Sequence, residues 1–296
     1  MRIKPIHFAW LIVIFGVIDV IAAQPPEKNL PVKLEELTSG DFALALEKSG
    51  GVCVIPLGVF EKHGQHLPLG TDLIVVRELV LRAAAKEYAV VFPEFYFGQI
   101  NEAKHLPGTI AYSPELLWKI LQETLDELSR NGFKKIILVN GHGGNNAFLE
   151  YFLFSQLNSP KDYSVILFSP DYSDAFRQKQ AAYFESFAPG GHAGELETSM
   201  VLATRPDLVH LDRARLESGQ DLDRLASLRN QTSGFWWYAS FPNHYHGDGS
   251  YGKTELGELT LEYRSDLLAQ LIRDFKNSQV LEDLQREFFR KIHSPR

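Results

Sequence analysis

The fold of this chain is decided by the stretch Val52–Asp72, VCVIPLGVFEKHGQHLPLGTD. Its first six residues are apolar and predict a buried strand that ends at Leu57 in a glycine-containing loop. From Asp72 to Glu87 apolar residues recur at helical spacing, and a second buried strand, KIILVN, is predicted at Lys135–Asn140. Helices therefore alternate with strands, which is typical of an α/β fold built from parallel βαβ units with helices on both faces of the sheet.

The remaining segments extend this alternation along one domain, residues 35–296, which follows a proline-rich linker at residues 24–34. The further predicted elements are helices at Lys33–Ser49, Pro114–Asn131, about 146–157, 213–231 and Lys253–Ser278, and strands at Ala89–Phe92 and Ser164–Phe168.

Composition excludes several classes of protein. The 296 residues are 45% hydrophobic and 23% charged, which are globular values. The net charge of −7 and the lack of a lysine- or arginine-rich run argue against nucleic acid as a partner. The single cysteine, Cys53, excludes an intramolecular disulfide, and its place inside an apolar strand predicts an inert core thiol.

The N-terminus resembles a targeting segment. Arg2 and Lys4 precede a mostly apolar run, and the small residues Ala22 and Ala23 then precede a polar segment. This order predicts a signal peptide at residues 1–23 and an exported protein, periplasmic or secreted, with no stable membrane partner after cleavage. The alternative is an uncleaved N-terminal membrane anchor, although Asp19 interrupts the apolar run.

Metal-ligand residue types crowd into the loop that follows the first strand. Glu61, His63, His66 and Asp72 lie within twelve residues, and these nitrogen and oxygen ligands suit zinc, manganese or iron(II). Glu61 and His63 are two residues apart, so an extended backbone directs both side chains to one side. The loop alone therefore predicts part of a metal site.

Two further motifs carry similar residues. Asn140-Gly-His142-Gly-Gly-Asn145 follows the KIILVN strand, and Gly190-Gly-His192-Ala-Gly-Glu195-Leu-Glu197 precedes an apolar helical run. The first is otherwise a tight strand-to-helix turn or a phosphate cradle, and the second is otherwise an acidic helix N-terminus. Together with the first loop, the three motifs favour a metal site at the carboxyl ends of parallel strands.

In combination, the three motifs resemble those of the creatininase (creatinine amidohydrolase) family, over nearly all of residues 35–270. The resemblance implies a three-layer α/β/α sandwich on a mostly parallel sheet. It implies two divalent metals, zinc first with manganese or iron as alternatives, and a homo-oligomer, often a hexamer. By position, Glu61 and His142 are expected on one metal and His63 on the other, with Asp72 bridging them.

The chain departs from creatininase at two positions. Creatininase takes a glutamate for its second metal two residues after the metal histidine, where this chain has Gly144, so another carboxylate is needed and Glu197 is the candidate. Creatininase also has a tyrosine directly after that histidine, where this chain has Gly143, which argues against creatinine as substrate. His192, with Glu195, is expected to transfer protons.

The resemblance and the residues together predict a metal-dependent amidohydrolase that cleaves a C–N bond of a small cyclic or linear amide. His66 and His105 are candidate substrate contacts, and Trp236 with Trp237 either lines the pocket or belongs to the core. The alternatives are a lactone hydrolase or isomerase that uses the same site, and a non-catalytic exported protein that binds a metal or a solute.

Overall fold

A four-stranded parallel sheet organises the protein, whose computed structural model describes residues 30–228, 231–292 and 294. Its strands are β1 (Val52–Leu57), β2 (Val90–Val91), β3 (Lys135–Asn140) and β4 (Ser164–Leu167). They lie in the order β2-β1-β3-β4, and each neighbouring pair is parallel. The strand order reverses between β1 and β3, so a crevice opens at their carboxyl ends.

The two central strands explain the continuous apolar runs in the sequence. Every residue of β1 is buried, and so is every residue of β3 except its last, Asn140. In register, Val54 pairs with Ile137 and Leu57 pairs with Asn140. A strand that is covered on both faces must be apolar at successive positions, which is why neither run alternates with polar residues.

Nine α-helices are found in the described residues. Those before the fourth strand are α1 (Ser39–Lys48), α2 (Thr71–Lys86), α3 (Pro114–Arg130) and α4 (Asn146–Ser155). Those after it are α5 (Asp174–Ala181), α6 (Glu195–Thr204), α7 (Trp236–Ser240), α8 (Thr254–Asn277) and α9 (Val280–Ile292). Their starts follow ordinary capping: Ser113, for example, accepts the Leu116 N–H at the start of α3, with Pro114 at the first position.

Helices cover the sheet on both faces. One core contains Val54 of β1 and Ile137 of β3 with side chains of α2, α6 and α8. Because side chains alternate along a strand, Ile55 and its neighbours point to the other face. The helices α3 and α4 meet through Trp118 and Phe152, whose ring centroids are 5.2 Å apart. The predicted α/β/α sandwich with a parallel sheet is confirmed.

One predicted helix is wrong in the part that the structure describes. Residues 213–228 and 231 contain short 3-10 turns instead of the α-helix expected at 213–231. The backbone there is hydrogen-bonded to a loop that is distant in sequence. Gly247 N–H donates to Gly219 O (3.1 Å), and Asn243 Nδ2 donates to Ser218 O (2.8 Å). These tertiary hydrogen bonds replace those that a helix would have formed.

The ends of the chain add two observations. The helix expected at Lys253–Ser278 is α8, but α9 follows it. None of the helices in residues 30–228, 231–292 and 294 combines the length and the apolar character needed to cross a bilayer. The predicted signal peptide, residues 1–23, and residues 24–29 of the predicted linker lie outside the described residues.

Candidate metal centre

The candidate site lies where the carboxyl ends of β1 and β3 meet. Glu61 and His63 follow β1, Asp72 is the second residue of α2, and His142 follows β3. Parallel sheets bind ligands in the crevice at such a reversal of strand order. Separate segments of the chain therefore bring these four side chains to one place.

Backbone hydrogen bonds shape the loop between β1 and α2. Glu61 N–H donates to Leu69 O (3.1 Å), and Leu67 N–H donates to His63 O (3.3 Å). Directly after His63, Gly64 has a φ of 60°, the left-handed conformation that favours glycine. Glu61 and His63 are both fully buried, so the loop directs them into the protein rather than into solvent.

Asparagine side chains hold the loop after β3. Asn140 Oδ1 accepts the His142 backbone N–H (3.2 Å), and Asn140 Nδ2 donates to the His142 carbonyl (2.6 Å). Asn145 donates to Asn140 (3.2 Å) and accepts the Gln99 backbone N–H (2.7 Å). The loop is thereby tied to the segment after β2, which fixes the direction of the His142 ring.

The four predicted ligands lie in direct contact around Asp72. Asp72 Oδ1 is 3.2 Å from His63 Nε2, and Asp72 Oδ2 is 3.2 Å from His142 Nδ1. Glu61 Oε1 is 2.7 Å from His142 Nδ1 and 3.8 Å from His63 Nε2. Asp72 thus stands between the two imidazoles, as expected for a carboxylate that bridges two ions.

Hydrogen bonds on the far side of each imidazole determine which nitrogen faces the carboxylates. His142 Nε2 lies 2.9 Å from the Gln99 carbonyl oxygen, and His63 Nδ1 lies 3.3 Å from the Glu61 carbonyl oxygen. A carbonyl can only accept, so these two nitrogens carry hydrogen. In a neutral ring the opposite nitrogen, His142 Nδ1 or His63 Nε2, then presents a lone pair to the carboxylates.

This arrangement of acceptors fits a metal ion. Glu61 Oε1, His63 Nε2 and Asp72 Oδ2 are buried and, within the described residues, have no hydrogen-bond partner. Each unpaired buried acceptor costs about 1–3 kcal/mol. With His142 Nδ1, these atoms form a mixed nitrogen and oxygen ligand set for a divalent metal, which would satisfy all of them at once.

The electrostatics of the cluster favour positive charge. Burial acts to lower the pKa of His63, yet the nearby Asp72 carboxylate, with the charges of Glu61 and Glu197, raises it to about 9. Burial acts to raise the pKa of Glu61, yet the charge of His142 and the hydrogen bonds of His142 and His244 hold it well below its usual range. Carboxylates that attract protons onto buried histidines in this way also attract metal cations.

A second group of ligand atoms lies beside the first. Among the described residues, His63, His192 and Glu197 offer ligand atoms within 4.8 Å of one another. Glu197 is the third residue of α6, and its Oε2 accepts the Ala193 N–H (2.6 Å) while lying 3.7 Å from His63 Nε2. One carboxylate therefore serves both the helix N-terminus and the cluster.

His192 presents a basic nitrogen to the cluster. Its Nε2 lies 2.8 Å from the Lys62 carbonyl oxygen and so carries hydrogen, which leaves a lone pair on Nδ1. Nδ1 is 3.9 Å from Glu197 Oε2. Burial lowers the pKa of His192 well below its usual value, although Glu61 acts to raise it, so the ring is neutral at pH 7.

A family model described as Creatininase: Creatinine amidohydrolase matches residues 35–272. The chain belongs to the creatininase family. The creatinine amidohydrolase of Pseudomonas putida is 30% identical over 195 residues, which cover 60% of this chain and 74% of that protein. The 3-dehydro-scyllo-inosose hydrolase of Thermotoga maritima is 24% identical over 251 residues, which cover 77% and 78%.

Solved creatininases share the fold. A mutant creatininase of Zn-Zn type has a TM-score of 0.69 and 25% identity, covering 83% of this chain and 99% of that one. A manganese creatininase has a TM-score of 0.70 and 24% identity, with the same coverage. Creatininase-family relatives are hydrolases of C–N bonds, and this chain is a hydrolase of that class.

Two predicted site residues of this creatininase-family chain make their contacts outside the cluster. The Glu195 carboxylate accepts the backbone N–H groups of Glu185 (3.1 Å) and Ser186 (2.9 Å), so it holds that loop. His66 is fully buried with Nε2 3.0 Å from Thr198 Oγ1, and burial lowers its pKa to about 4. Neither lines the cavity at the site.

His244 joins the cluster although no motif predicted it. It is buried, and its Nε2 contacts Glu61 Oε2, while its ring centroid lies 4.4 Å from that of His192. The signal that could have found it is the pair of histidines in NHYHGD, directly after the aromatic run. The pair was instead grouped with the aromatic run, and it does not follow a predicted strand as the first two motifs do.

A cavity of about 1160 Å³ opens onto the cluster. Its lining includes Glu61, Asp72, His142, His192, Glu197 and His244, together with the predicted substrate contacts His105, Trp236 and Trp237. His105 Nε2 is 2.7 Å from the Pro242 carbonyl oxygen, and its ring meets Tyr238 at 4.7 Å. Because Trp236 and Trp237 are both in the lining, they face the cavity and do not belong to the core.

Because Gly144 has no side chain, the Glu102 carboxylate and the His142 ring occupy the adjacent space. A Cβ at this position would stand 2.7 Å from Glu102 Oε1 and 2.4 Å from His142 Nε2. Glu102 lies in the segment after β2, and its Oε2 accepts from the Gln99 side chain (2.9 Å). A carboxylate thus still reaches this side of the cavity, but it comes from another part of the chain.

Proposed function

We propose that the protein is a metal-dependent amidohydrolase that cleaves a C–N bond of a small cyclic or linear amide. The observation that carries this proposal is that buried atoms of Glu61, His63 and Asp72, which have no hydrogen-bond partner among the described residues, converge beside His142. The cavity reaches this cluster at Glu61, Asp72 and His142. Two bound divalent metals, zinc first with manganese or iron as alternatives, would polarise the amide carbonyl and activate a water.

The ligand roles follow from which atoms lie together. Glu61 Oε1 and His142 Nδ1 would hold the first metal, and His63 Nε2 the second, with Asp72 shared between them. Glu197 supports the second position because its carboxylate is the one from α6 that approaches His63. Glu197 thereby supplies the carboxylate that Gly144 cannot.

His192 is the residue that we assign to proton transfer. The Lys62 carbonyl holds its Nε2–H, so Nδ1 is free to accept a proton from the attacking water. A neutral imidazole is the form that this task requires, and burial favours it here. The same nitrogen can then return the proton to the leaving nitrogen of the amide, which completes hydrolysis with one water consumed.

The cavity supports a substrate larger than a single small ring. Its volume is about 1160 Å³, slightly above the range of about 300–1,000 Å³ for sites that hold drug-sized ligands. Trp236 and Tyr238 on its wall are 53% and 40% exposed, and exposed aromatic side chains at a cavity are typical of ligand contacts. Glu102 adds an acceptor for substrate N–H or O–H groups.

Creatinine itself is disfavoured as the substrate. Position 143, directly after the metal histidine, is Gly143, and a Cβ built there meets no atom within 4 Å. This part of the wall therefore offers no side chain to a bound ring. A screen of small cyclic amides, formamides and linear amides with creatinine included is expected to give turnover with an amide other than creatinine.

Chelation and metal replacement test the proposal. Removal of metal should abolish amide hydrolysis, and adding Zn²⁺ or Mn²⁺ back should restore it. His142→Ala should remain inactive after add-back, because Glu61 then lacks its partner on the first metal. Full activity of the metal-free protein would overturn the proposed function.

Product analysis separates the related chemistries on the same site. Net addition of water with release of an amine or a ring-opened amide supports the amidohydrolase. Net addition of water to a lactone indicates the lactone hydrolase, and a product of unchanged mass indicates an isomerase. The match to an inosose hydrolase is the reason to include a cyclic ketone or lactone in the screen.

A further inference from the structure

His244 is placed between the aromatic wall of the cavity and the metal centre. On one side, Trp237 Nε1 donates to His244 Nδ1 at 2.7 Å. On the other side, His244 Nε2 contacts Glu61 Oε2. The histidine is 2% exposed, so water does not compete effectively for either contact.

These two contacts fix the tautomer of His244. An indole nitrogen can only donate, so His244 Nδ1 must be the acceptor and must carry a lone pair. In the neutral ring the hydrogen is then on Nε2, where it is donated to the Glu61 carboxylate. His244 Nε2 consequently has no lone pair for a metal, in contrast to His142 Nδ1, which faces the same carboxylate and has a lone pair in the neutral ring.

The backbone at His244 is strained in a way that serves this contact. Its φ is 54°, in the left-handed region that residues other than glycine rarely adopt. The His244 N–H donates to Phe241 O (2.9 Å), and the His246 N–H donates to His192 O (2.9 Å). The surrounding loop therefore holds the ring against Glu61 despite the strain.

We propose that His244 is a positioning residue for the first metal, and that Trp237 selects the tautomer that makes this possible. His244 donates to Glu61 Oε2, which turns Glu61 Oε1 towards His142. This inference rests on the proposed metal site. It also connects the cavity wall to that site, because Trp237 lines the cavity and is two hydrogen bonds from Glu61.

The matched pair Trp237→Phe and Trp236→Phe tests the role of the indole. Zn²⁺ affinity is measured by competition with a fluorescent chelator, and thermal unfolding of the metal-free proteins is recorded alongside. Trp237→Phe should weaken the first site about 10- to 100-fold, the range for loss of an outer hydrogen-bond partner. Trp236→Phe should leave affinity unchanged, because the Trp236 indole makes no hydrogen bond within the described residues.

Rescue at position 244 tests the role of the histidine. In His244→Gln, the amide oxygen can accept from Trp237 and the amide nitrogen can donate to Glu61, so Zn²⁺ affinity should stay within a few-fold of wild type. His244→Leu removes both functions and should lose about 10- to 100-fold. The Co²⁺-loaded His244→Gln protein should retain the wild-type visible absorption spectrum, because its metal ligands are unchanged.

Two results would overturn the inference. Equal Zn²⁺ affinities for wild type, Trp237→Phe and His244→Leu would show that the contacts do not position Glu61. A Co²⁺ spectrum that loses a nitrogen ligand in His244→Gln would show that His244 binds metal directly. A wild-type protein that binds no metal is a different outcome, because it contradicts the proposed function as a whole.

Discussion

Adding one methyl group at Gly144 should weaken metal binding at the centre. In Gly144→Ala, the new Cβ would meet His142 Nε2 at 2.4 Å. The His142 ring cannot yield without leaving the Gln99 carbonyl that fixes its tautomer. We expect Zn²⁺ affinity to fall about 10- to 100-fold, as for loss of an outer-shell partner, measured by chelator competition.

The neighbouring glycine provides the control for this substitution. A Cβ at Gly143 meets nothing within 4 Å, so Gly143→Ala should bind Zn²⁺ as wild type does. Equal affinities for the two variants would contradict the steric argument. Because the substitutions are chemically identical and adjacent, only the position of the Cβ distinguishes them.

Cys53 should behave as an inert thiol in the native protein. It is fully buried in β1, and burial raises the pKa of its thiol, although a hydrogen bond with the Phe92 backbone acts to lower it. A thiolate is the reactive species, so a disulfide reagent at pH 8 should label Cys53 only after denaturant is added. Rapid labelling of the folded protein would contradict its position in the central strand.

At the scale of a single helix, the first turn of α6 separates two acidic residues by role. Glu197 faces the cluster, and Glu195 holds the backbone of Glu185 and Ser186. Glu197→Gln should reduce bound metal from about two ions to about one per chain, measured by elemental analysis. Its unfolding should change little, because glutamine retains an oxygen for the Ala193 N–H.

The companion variant should show the opposite pattern. Glu195→Gln weakens charge-assisted hydrogen bonds inside the protein, so it should lower the free energy of unfolding by about 1–3 kcal/mol. Metal content should remain that of wild type. Loss of metal in Glu195→Gln with unchanged stability would show that Glu195 acts at the metal site.

Sequence patterns predicted the elements that rely on local periodicity or on burial. β1 and β3 begin and end as expected, because strands buried on both faces leave continuous apolar runs. The three motifs also identified the residues that meet around Asp72. Those of the first two motifs follow β1 and β3, and the carboxyl ends of parallel strands lie together.

What sequence patterns missed depends on contacts between distant segments. His244 reaches Glu61 only because its loop adopts a left-handed backbone, which no local signal encodes for a histidine. Glu102 faces the cavity because Gly144, far along the chain, leaves space for it. The choice between Glu195 and Glu197 depended on which way the first turn of α6 faces, and that is set by packing.

For the whole molecule, metal should contribute to stability. The native site gathers carboxylates and histidine nitrogens that one cation can bind together, whereas the unfolded chain separates them. A metal at 100 times its dissociation constant stabilises the native state by about 2.7 kcal/mol. Chelation should therefore lower the melting temperature by several degrees, and Zn²⁺ should restore it. An unchanged melting temperature would contradict tight binding.

Export and assembly are predictions about the intact chain. If residues 1–23 are a signal peptide, then protein recovered from outside the cytoplasm should begin at Gln24, as mass spectrometry of its N-terminal peptide can show. A mature N-terminus at Met1 in a membrane fraction indicates the uncleaved anchor. The homo-oligomer implied by family resemblance also stays a prediction, and light scattering of the purified protein tests it.

The distance along the chain between Glu61 and His244, 183 residues, has a kinetic consequence. The ligands and their supports come from segments that meet only when β1, β3, α6 and the loop at 244 are all in place. A folding transition state that lacks any of these segments gains little from metal. Zn²⁺ should consequently leave the refolding rate nearly unchanged and slow the unfolding rate instead. The ion would bind after folding is complete and slow unfolding, so the lifetime of the native protein would depend on the metal concentration around it.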